Sequence, residues 1–231
     1  ASLKMPAASA KKFNNINFNN YHMTNSIFFG NGLNRISKGS KSWDELLSNI
    51  TSGHVIKDIP YTLQYEDIYL ANKINRIDIP AKLSKHTYEY KVKYCISEIV
   101  NKFSPNSIFE RLASTQVESY ITTNYDLTLE KQFEQNSFEE NKNGSDISEQ
   151  IYSIRRHHSF IDPSESRKNI WYIHGEAKYP KSIMLGYDHY YGAIGKIDSY
   201  IKGNYEYKNN NNEVIKIASI TERLKNSDNN I

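Results

Sequence analysis

The sequence predicts an α/β fold in which a parallel sheet carries helices on both faces. Short apolar runs that end in glycine or polar residues alternate with segments whose apolar residues follow helical spacing. This strand–helix alternation is typical of parallel sheets. A length of 231 residues suits one such domain. We assign residues 1–22, which are rich in Asn, to a flexible arm and residues 23–231 to the domain.

The first half of the domain is predicted to begin with a strand and a capped helix. Ser26–Phe29 is an apolar run that ends in a glycine turn, as a buried strand would. Ser42 and Glu45 have the spacing of a capping box, which predicts a helix that reaches Ile50. The remaining predicted elements are helices over 65–78, 86–103, 106–114 and 127–133, and a strand over 117–121.

The second half is predicted to contain a polar loop, three strands and two helices. The loop covers residues 136–148 and has no core residues. The strands are expected over 151–157, 169–173 and 182–185, and the helices over 188–201 and 213–224.

Charge, hydropathy and cysteine content exclude several classes of protein. The 29 Lys and Arg and 26 Asp and Glu leave a net charge of +3, too small and dispersed to indicate nucleic-acid binding. The one local basic cluster, residues 155–158, is either a phosphate-binding patch or part of a strand edge or solvated loop. No run approaches the roughly 18 apolar residues of a membrane span. The single Cys95 excludes an internal disulfide and a multi-cysteine zinc site, and indicates the cytoplasm.

Three polar signatures follow predicted strands, where open parallel sheets bind ligands. The first is the segment Gly30-Asn31-Gly32-Leu33-Asn34, in which glycines would let the backbone approach a diphosphate. Arg35 occupies the place of a third glycine, so the segment by itself is equally compatible with a tight turn that binds nothing.

The second signature is Thr122-Thr123-Asn124-Tyr125-Asp126. Capping of the next helix accounts for one or two of these polar residues, and a bound ligand would account for the others. The third is His174-Gly175, at the end of an apolar strand, where an imidazole could act as a base near neutral pH. A lone histidine in this position can also be structural.

Together, these residues resemble the sirtuin-like NAD-binding family, in particular its bacterial anti-phage branch. The matching segments are FFGNGLNRIS (28–37), ITTNYDLTLE (121–130) and IWYIHGE (170–176), with SIMLGYDHYYG (182–192) as a weaker fourth. The resemblance implies a Rossmann-like sheet. The chain lacks the four cysteines of the zinc ribbon that the deacylating members carry. The family also has a further strand after about residue 220, which helps to hold the adenosine half of NAD. Either the domain is incomplete at its C-terminal end, or the adenosine wall comes from elsewhere.

The resemblance also implies roles for individual positions. Asn124 would hold the nicotinamide ribose and a water molecule, and His174 would be the general base. Asp126 would bind the carboxamide, Asn34 stands where the family has a serine, and residues 186–190 would form part of the sugar-binding wall. The positions implied in binding NAD are Gly30, Asn31, Gly32, Asn34, Thr122, Thr123, Asp126 and Gly175.

The function implied is NAD glycohydrolysis, with NAD as substrate and no metal, as the effector of bacterial phage defence. Such modules act as homo-oligomers or with a partner sensor protein. The alternative from another class is a non-catalytic domain that senses NAD or a related nucleotide. Protein deacylation is a third, less favoured possibility, because the chain has no zinc ribbon and no evident acyl-lysine channel.

Overall fold

The structure is a computed structural model that describes residues 25–37, 39–51, 56, 58–70, 81–141, 152–209 and 211–219. The predicted arm at residues 1–22 lies outside the described residues, as do 71–78 of the second predicted helix and 220–224 of the last.

The described residues form seven strands and six α-helices. The strands are β1 Ser26–Phe29, β2 Ser119–Thr122, β3 Glu139–Glu140, β4 His157–Ile161, β5 Arg167–Tyr172, β6 Glu206–Lys208 and β7 Val214–Lys216. The helices are α1 Trp43–Ile50, α2 Tyr61–Leu70, α3 Tyr88–Val100, α4 Ser107–Ala113, α5 Thr128–Gln135 and α6 Tyr187–Ile201. A 3₁₀ turn over Asn31–Ile36 follows β1.

The main sheet has five strands in the order β1-β2-β5-β4-β3 and is mixed. β1, β2 and β5 are parallel, so that Phe28, Ile121 and Trp171 lie side by side in neighbouring strands. β4 pairs antiparallel with both β5 and β3, which corrects the prediction of an entirely parallel sheet. The five residues between β4 and β5 are too few for a crossover, so the two strands form a hairpin.

Two buried clusters divide the core. One face of the sheet packs on α4 and α5, with Tyr120 and Ile170 fully buried against Phe133. On the opposite face Phe28 is 65 % exposed, so among the described residues that face is not covered as the sequence predicts. The second cluster joins α1, α2 and α3 to residues 177–185, beyond the ends of the parallel strands.

Local sequence signals are confirmed where capping or regular periodicity defines an element. Ser42 and Glu45 form the predicted capping box at the start of α1, with the Ser42 amide 2.6 Å from a Glu45 carboxylate oxygen. Asn106 caps α4 through hydrogen bonds from the Ile108 and Phe109 amides. Among the described residues, no helix is both long and apolar enough to cross a membrane.

Two predicted strands are wrong. The strand expected over 151–157 begins only at His157 and runs to Ile161. The run expected to form a strand over 182–185 is instead a 3₁₀ turn followed by a buried loop. Ile183 and Leu185 are apolar because they enter the second core cluster, so their hydrophobicity comes from burial of a loop and not from sheet pairing.

Two further predictions are corrected in the more polar parts of the chain. The loop expected to lack core residues buries Phe138 beside Phe133 and forms the short strand β3. The last predicted helix is absent from its described part, where Val214–Lys216 pairs with Glu206–Lys208 as a hairpin. The alternation in the sequence VIKI, which suits a strand, outweighs the helical spacing there.

Candidate functional site

A cavity of about 370 Å³ opens where the C-terminal ends of β1, β2 and β5 meet. This volume lies within the range of small-molecule sites. The walls come from the three segments that the sequence singles out and from α1, α2, α3 and α6. The lining residues are Asn31, Gly32, Arg35, Lys41, Trp43, Leu46, Tyr61, Val100, Phe103, Thr123, Asn124, Tyr125, Asp126, His174 and Tyr190.

The bend after β1 provides one wall of the cavity. A Cβ atom placed on Gly32 would have no atom within 4 Å, so the backbone is open towards the cavity there. Gly30 is more closely packed, since a Cβ atom would lie 3.1 Å from the Thr123 hydroxyl. Asn31 and Gly32 line the cavity, and Gly30 lies behind them.

A buried hydrogen-bond pair ties this bend to the segment after β2. The Asn34 side-chain amide donates to Asp126 Oδ2 at 2.6 Å and to Asn31 Oδ1 at 3.1 Å. Burial raises the pKa of Asp126, and the hydrogen bonds from Thr128 and Asn34 oppose that rise. Asn34 is fully buried, so the structure places it as a link between two walls and not in the cavity surface.

Asn124 lines the cavity and has a side-chain amide nitrogen with an unused hydrogen-bonding capacity. Its backbone N–H donates to Thr122 Oγ1 at 3.0 Å, which fixes the turn after β2. Its side-chain Nδ2 is buried and, among the described residues, has no hydrogen-bond partner. A buried amide without a partner costs free energy, so a rotation of the side chain that brings this nitrogen to an acceptor on a ligand would be favourable.

His174 also lines the cavity, two residues after the end of β5. Its imidazole packs edge-on against Tyr190 of α6, with ring centroids 5.1 Å apart. Burial disfavours the imidazolium and lowers the pKa of His174 below its usual 6.5. The side chain is therefore a neutral base at pH 7.

Gly175 has a conformational role in the turn that carries His174. Its φ of +88° is in the left-handed region, and a Cβ atom would lie 2.0 Å from the Ser182 carbonyl oxygen. Gly175 does not line the cavity.

Of the ten predicted site residues, the structure brings six to the cavity wall and places four behind it. The six are Asn31, Gly32, Thr123, Asn124, Asp126 and His174. The four that support the wall are Gly30, Asn34, Thr122 and Gly175.

Sequence reasoning missed the aromatic and cationic part of the wall. Trp43 lies between Tyr61 and Tyr125, with ring centroids 5.9 and 5.8 Å away. Arg35 and Lys41 add two positive charges beside Gly32. The position of Arg35 and Lys41, close in sequence to the glycine bend, is a sequence signal that indicates an anionic ligand. The aromatic contacts of Trp43 have no such signal, because they arise from tertiary packing.

Behind the His174 turn lies a buried ionic network. Glu176 is fully buried and accepts hydrogen bonds from Arg156 at 2.8 Å and from His158 at 2.6 Å. Burial opposes the charged imidazole, but the bond and charge of Glu176 outweigh it and raise the pKa of His158 to about 9. The same pair of cations lowers the pKa of Glu176 despite its burial. The basic cluster at 155–158 thus supplies an internal ion pair.

Glu130, His158 and Glu176 have side-chain donor atoms within 4.8 Å of one another, which is compatible with a metal site. Both nitrogens of His158, however, already bond carboxylates, Glu176 at 2.6 Å and Glu140 at 2.8 Å. A histidine that binds a metal needs a free nitrogen lone pair, so this arrangement suits an imidazolium better than a bound metal ion.

The geometry can therefore orient a ligand and deliver a base to it. Three of the lining residues carry an amide that lacks a partner, a neutral imidazole and a buried carboxylate, and cations and an open glycine backbone line the same cavity. These groups suit a ligand that combines phosphate with a polar ring.

A family model matches part of the chain. The family model described as a SIR2-like domain matches residues 118–217, which contain Asn124, Asp126 and His174 but not the bend at Gly30–Asn34. No curated protein matches the chain. The match and the mixed α/β fold support the sirtuin-like family and, with it, an NAD-related function.

Proposed function

We propose that the chain is an NAD glycohydrolase that cleaves NAD to nicotinamide and ADP-ribose. The observation that carries this proposal is the shared cavity, in which the unpartnered Asn124 amide and the neutral His174 imidazole are joined to the glycine bend at Gly32. NAD fits the donors present, since Arg35 and Lys41 offer positive charge for its diphosphate.

In the proposed reaction, the bond between C1′ of the nicotinamide ribose and the pyridinium nitrogen breaks, and its electron pair stays on that nitrogen. A water oxygen forms the new bond to C1′. The proton of the water passes to His174, directly or through a ribose hydroxyl, and from there to solvent. Asn124 positions the water and the ribose, and Asp126 binds the carboxamide. Orientation of the water and the ribose lowers the barrier for this step.

The buried side chain of Cys95 on α3 belongs to the core, and the sequence contains no other cysteine for a zinc ribbon. This composition supports hydrolysis over protein deacylation.

The direct test is nicotinamide release from NAD by the wild type, Asn124→Ala and His174→Ala. Loss of general-base catalysis is expected to lower kcat by about 10²- to 10⁴-fold in His174→Ala. Loss of a positioning amide should cost Asn124→Ala about 10²- to 10³-fold. His86→Ala, which removes an exposed histidine outside the cavity wall, is the control and should keep full activity.

Other outcomes identify other functions. Binding of NAD by the oligomerised wild type without nicotinamide release would favour the sensor. Release that depends on an acetyl-lysine peptide would favour the deacylase.

The proposal includes the biological role implied by the resemblance, that of a cytoplasmic effector of phage defence activated by oligomerisation or by a partner sensor. Cells that express the wild type should then lose NAD after phage infection, and cells that express Asn124→Ala should not. Equal NAD levels in the two kinds of cell after infection would contradict the defence role. The enzymatic proposal would then be decided by the assay of nicotinamide release alone.

A further inference from the structure

The loop that carries His174 is closed on itself by hydrogen bonds. The Met184 amide donates to the His174 carbonyl oxygen at 2.9 Å, and the Glu176 amide donates to Ser182 Oγ at 3.0 Å. At Gly175 the loop lies so close to the Ser182 backbone that no side chain would fit between them. A displacement of residue 176 is therefore transmitted to residue 174 two positions earlier.

Glu176 connects the loop to His158 in β4 and to Arg156, the residue before that strand. Its two carboxylate oxygens bond separately, Oε1 to Arg156 and Oε2 to His158. The Arg156 carbonyl oxygen in turn accepts a hydrogen bond from the Tyr172 amide, at the end of β5. The side chain of Glu176 thus ties the loop to the β4–β5 hairpin through residues that do not line the cavity.

The charges on this connection are complementary. Arg156 is 4 % exposed and Glu176 is fully enclosed, so little water screens their attraction. His158 is held between two carboxylates, Glu176 inside and Glu140 nearer the surface. Removing the Glu176 charge would take away the carboxylate that both Arg156 and His158 bond and would lower the pKa of His158, so the ion pairs that hold residue 176 would weaken.

From these contacts we propose that Glu176 is a positioning residue, whose ion pairs with Arg156 and His158 fix the loop that holds the imidazole of His174 in the cavity wall. The proposal rests on the proposed function for its catalytic consequence, but the placement of His174 can be measured without turnover.

The kinetic test compares Glu176→Gln in the wild type and in the His174→Ala background. Glutamine keeps the size of the side chain and removes its charge. We expect kcat for nicotinamide release to fall about 10- to 100-fold in the wild type, with KM changed by less than about threefold, because misplacement of a catalytic group by about 1 Å has this effect. In the His174→Ala background, the same change should lower kcat by less than about twofold. Equal losses in both backgrounds would overturn the proposal.

The second readout is the Cε1–H NMR resonance of His174, assigned by its absence in His174→Ala. Glu176→Gln should shift this resonance and its titration midpoint. The matched control is Glu139→Gln on β3, which removes an exposed carboxylate next to Glu140 and should leave both unchanged. An unmoved His174 resonance in Glu176→Gln contradicts the proposal even if activity falls.

Thermal unfolding establishes that each variant is folded before it is assayed. If Glu176→Gln does not fold, Glu176→Asp keeps the charge and shortens the side chain by one methylene, and the same dependence on His174 is expected of it. If the wild type releases no nicotinamide under any condition, the proposed function fails, and the NMR comparison alone decides the role of Glu176.

Discussion

At the level of single residues, Gly32 lacks a side chain at a point where the fold would accept one. Its backbone does not have a positive φ, and a Cβ atom would meet nothing within 4 Å. Neither the backbone conformation nor the packing therefore requires a glycine at position 32. Close approach of a diphosphate to the backbone would require one.

Gly32→Val should consequently leave the free energy of unfolding within about 0.5 kcal/mol of the wild type. The branched side chain would enter the cavity and raise KM for NAD at least tenfold, equivalent to about 1.4 kcal/mol of binding. Steady-state kinetics and thermal unfolding measure both effects. The control is Gly195→Val, since Gly195 also has free space around its Cβ position but lies on α6 outside the cavity wall. An unchanged KM in Gly32→Val would show that no ligand approaches the bend.

A second single-residue property, the protonation state of His174, sets the pH dependence of kcat/KM. Burial lowers the pKa of its imidazole below 6.5, so the basic form is present at neutral pH and is lost only as the pH falls through that lower value. We expect kcat/KM to be constant between about pH 7 and 8 and to decline on the acid side below pH 6.5, tenfold per pH unit in the limit. A midpoint above pH 6.5 for this acid limb would contradict the assignment of His174 as the base.

At the level of elements, α1 connects a local folding signal to the site. Ser42 and Glu45 cap the helix, whose first residue Trp43 and whose fourth residue Leu46 both line the cavity. Ser42→Ala removes the acceptor for the Glu45 amide and should lower the free energy of unfolding by about 1 kcal/mol. Chemical denaturation measures this change.

Ser48→Ala provides the comparison within the same helix. Ser48 lies in the helix interior, where alanine has the higher propensity, so this variant should be as stable as the wild type or slightly more stable. Equal effects of the two substitutions would mean that the cap contributes nothing at α1.

The elements also show which signals the sequence contains. α1 and α4 are predictable because, at the start of each helix, the capping residue and its hydrogen-bond partners lie within three positions of each other along the chain. The wall residues Asn124 and His174 are predictable because both follow strands that pair in parallel.

Tertiary packing explains what the sequence could not predict. Residues 183–185 are apolar like a strand, but their burial comes from helices more than 80 positions earlier in the chain. Arg156 and Glu176 form a buried pair over 20 positions, and no local pattern indicates it. The contact of Trp43 with Tyr125 is likewise a product of the assembled fold.

At the level of the whole molecule, the buried carboxyl of Glu130 links stability to pH. Burial, opposed by the charge of His158, raises the pKa of Glu130 from 4.5 to about 7, and Tyr172 donates a hydrogen bond to it at 2.7 Å. Between these two pH values the folded protein holds a proton that the unfolded chain has released. Folding is therefore favoured at the acid end, and stability from this group falls as the pH rises from 4.5 through 7.

Glu130→Gln removes this titration while keeping an oxygen that can accept the Tyr172 hydrogen bond. The two proteins should have similar stability near pH 4.5, and the variant should become more stable than the wild type by about 1–3 kcal/mol at pH 8. Because His158 titrates in both proteins, the difference between their urea midpoints across this range isolates Glu130 better than either curve alone. The exposed Glu134→Gln on the same helix should follow the wild type at every pH. If Glu130→Gln follows it as well, the Glu130 carboxyl is not held in its neutral form by the fold, and the network behind His174 carries one more negative charge at neutral pH than the geometry implies.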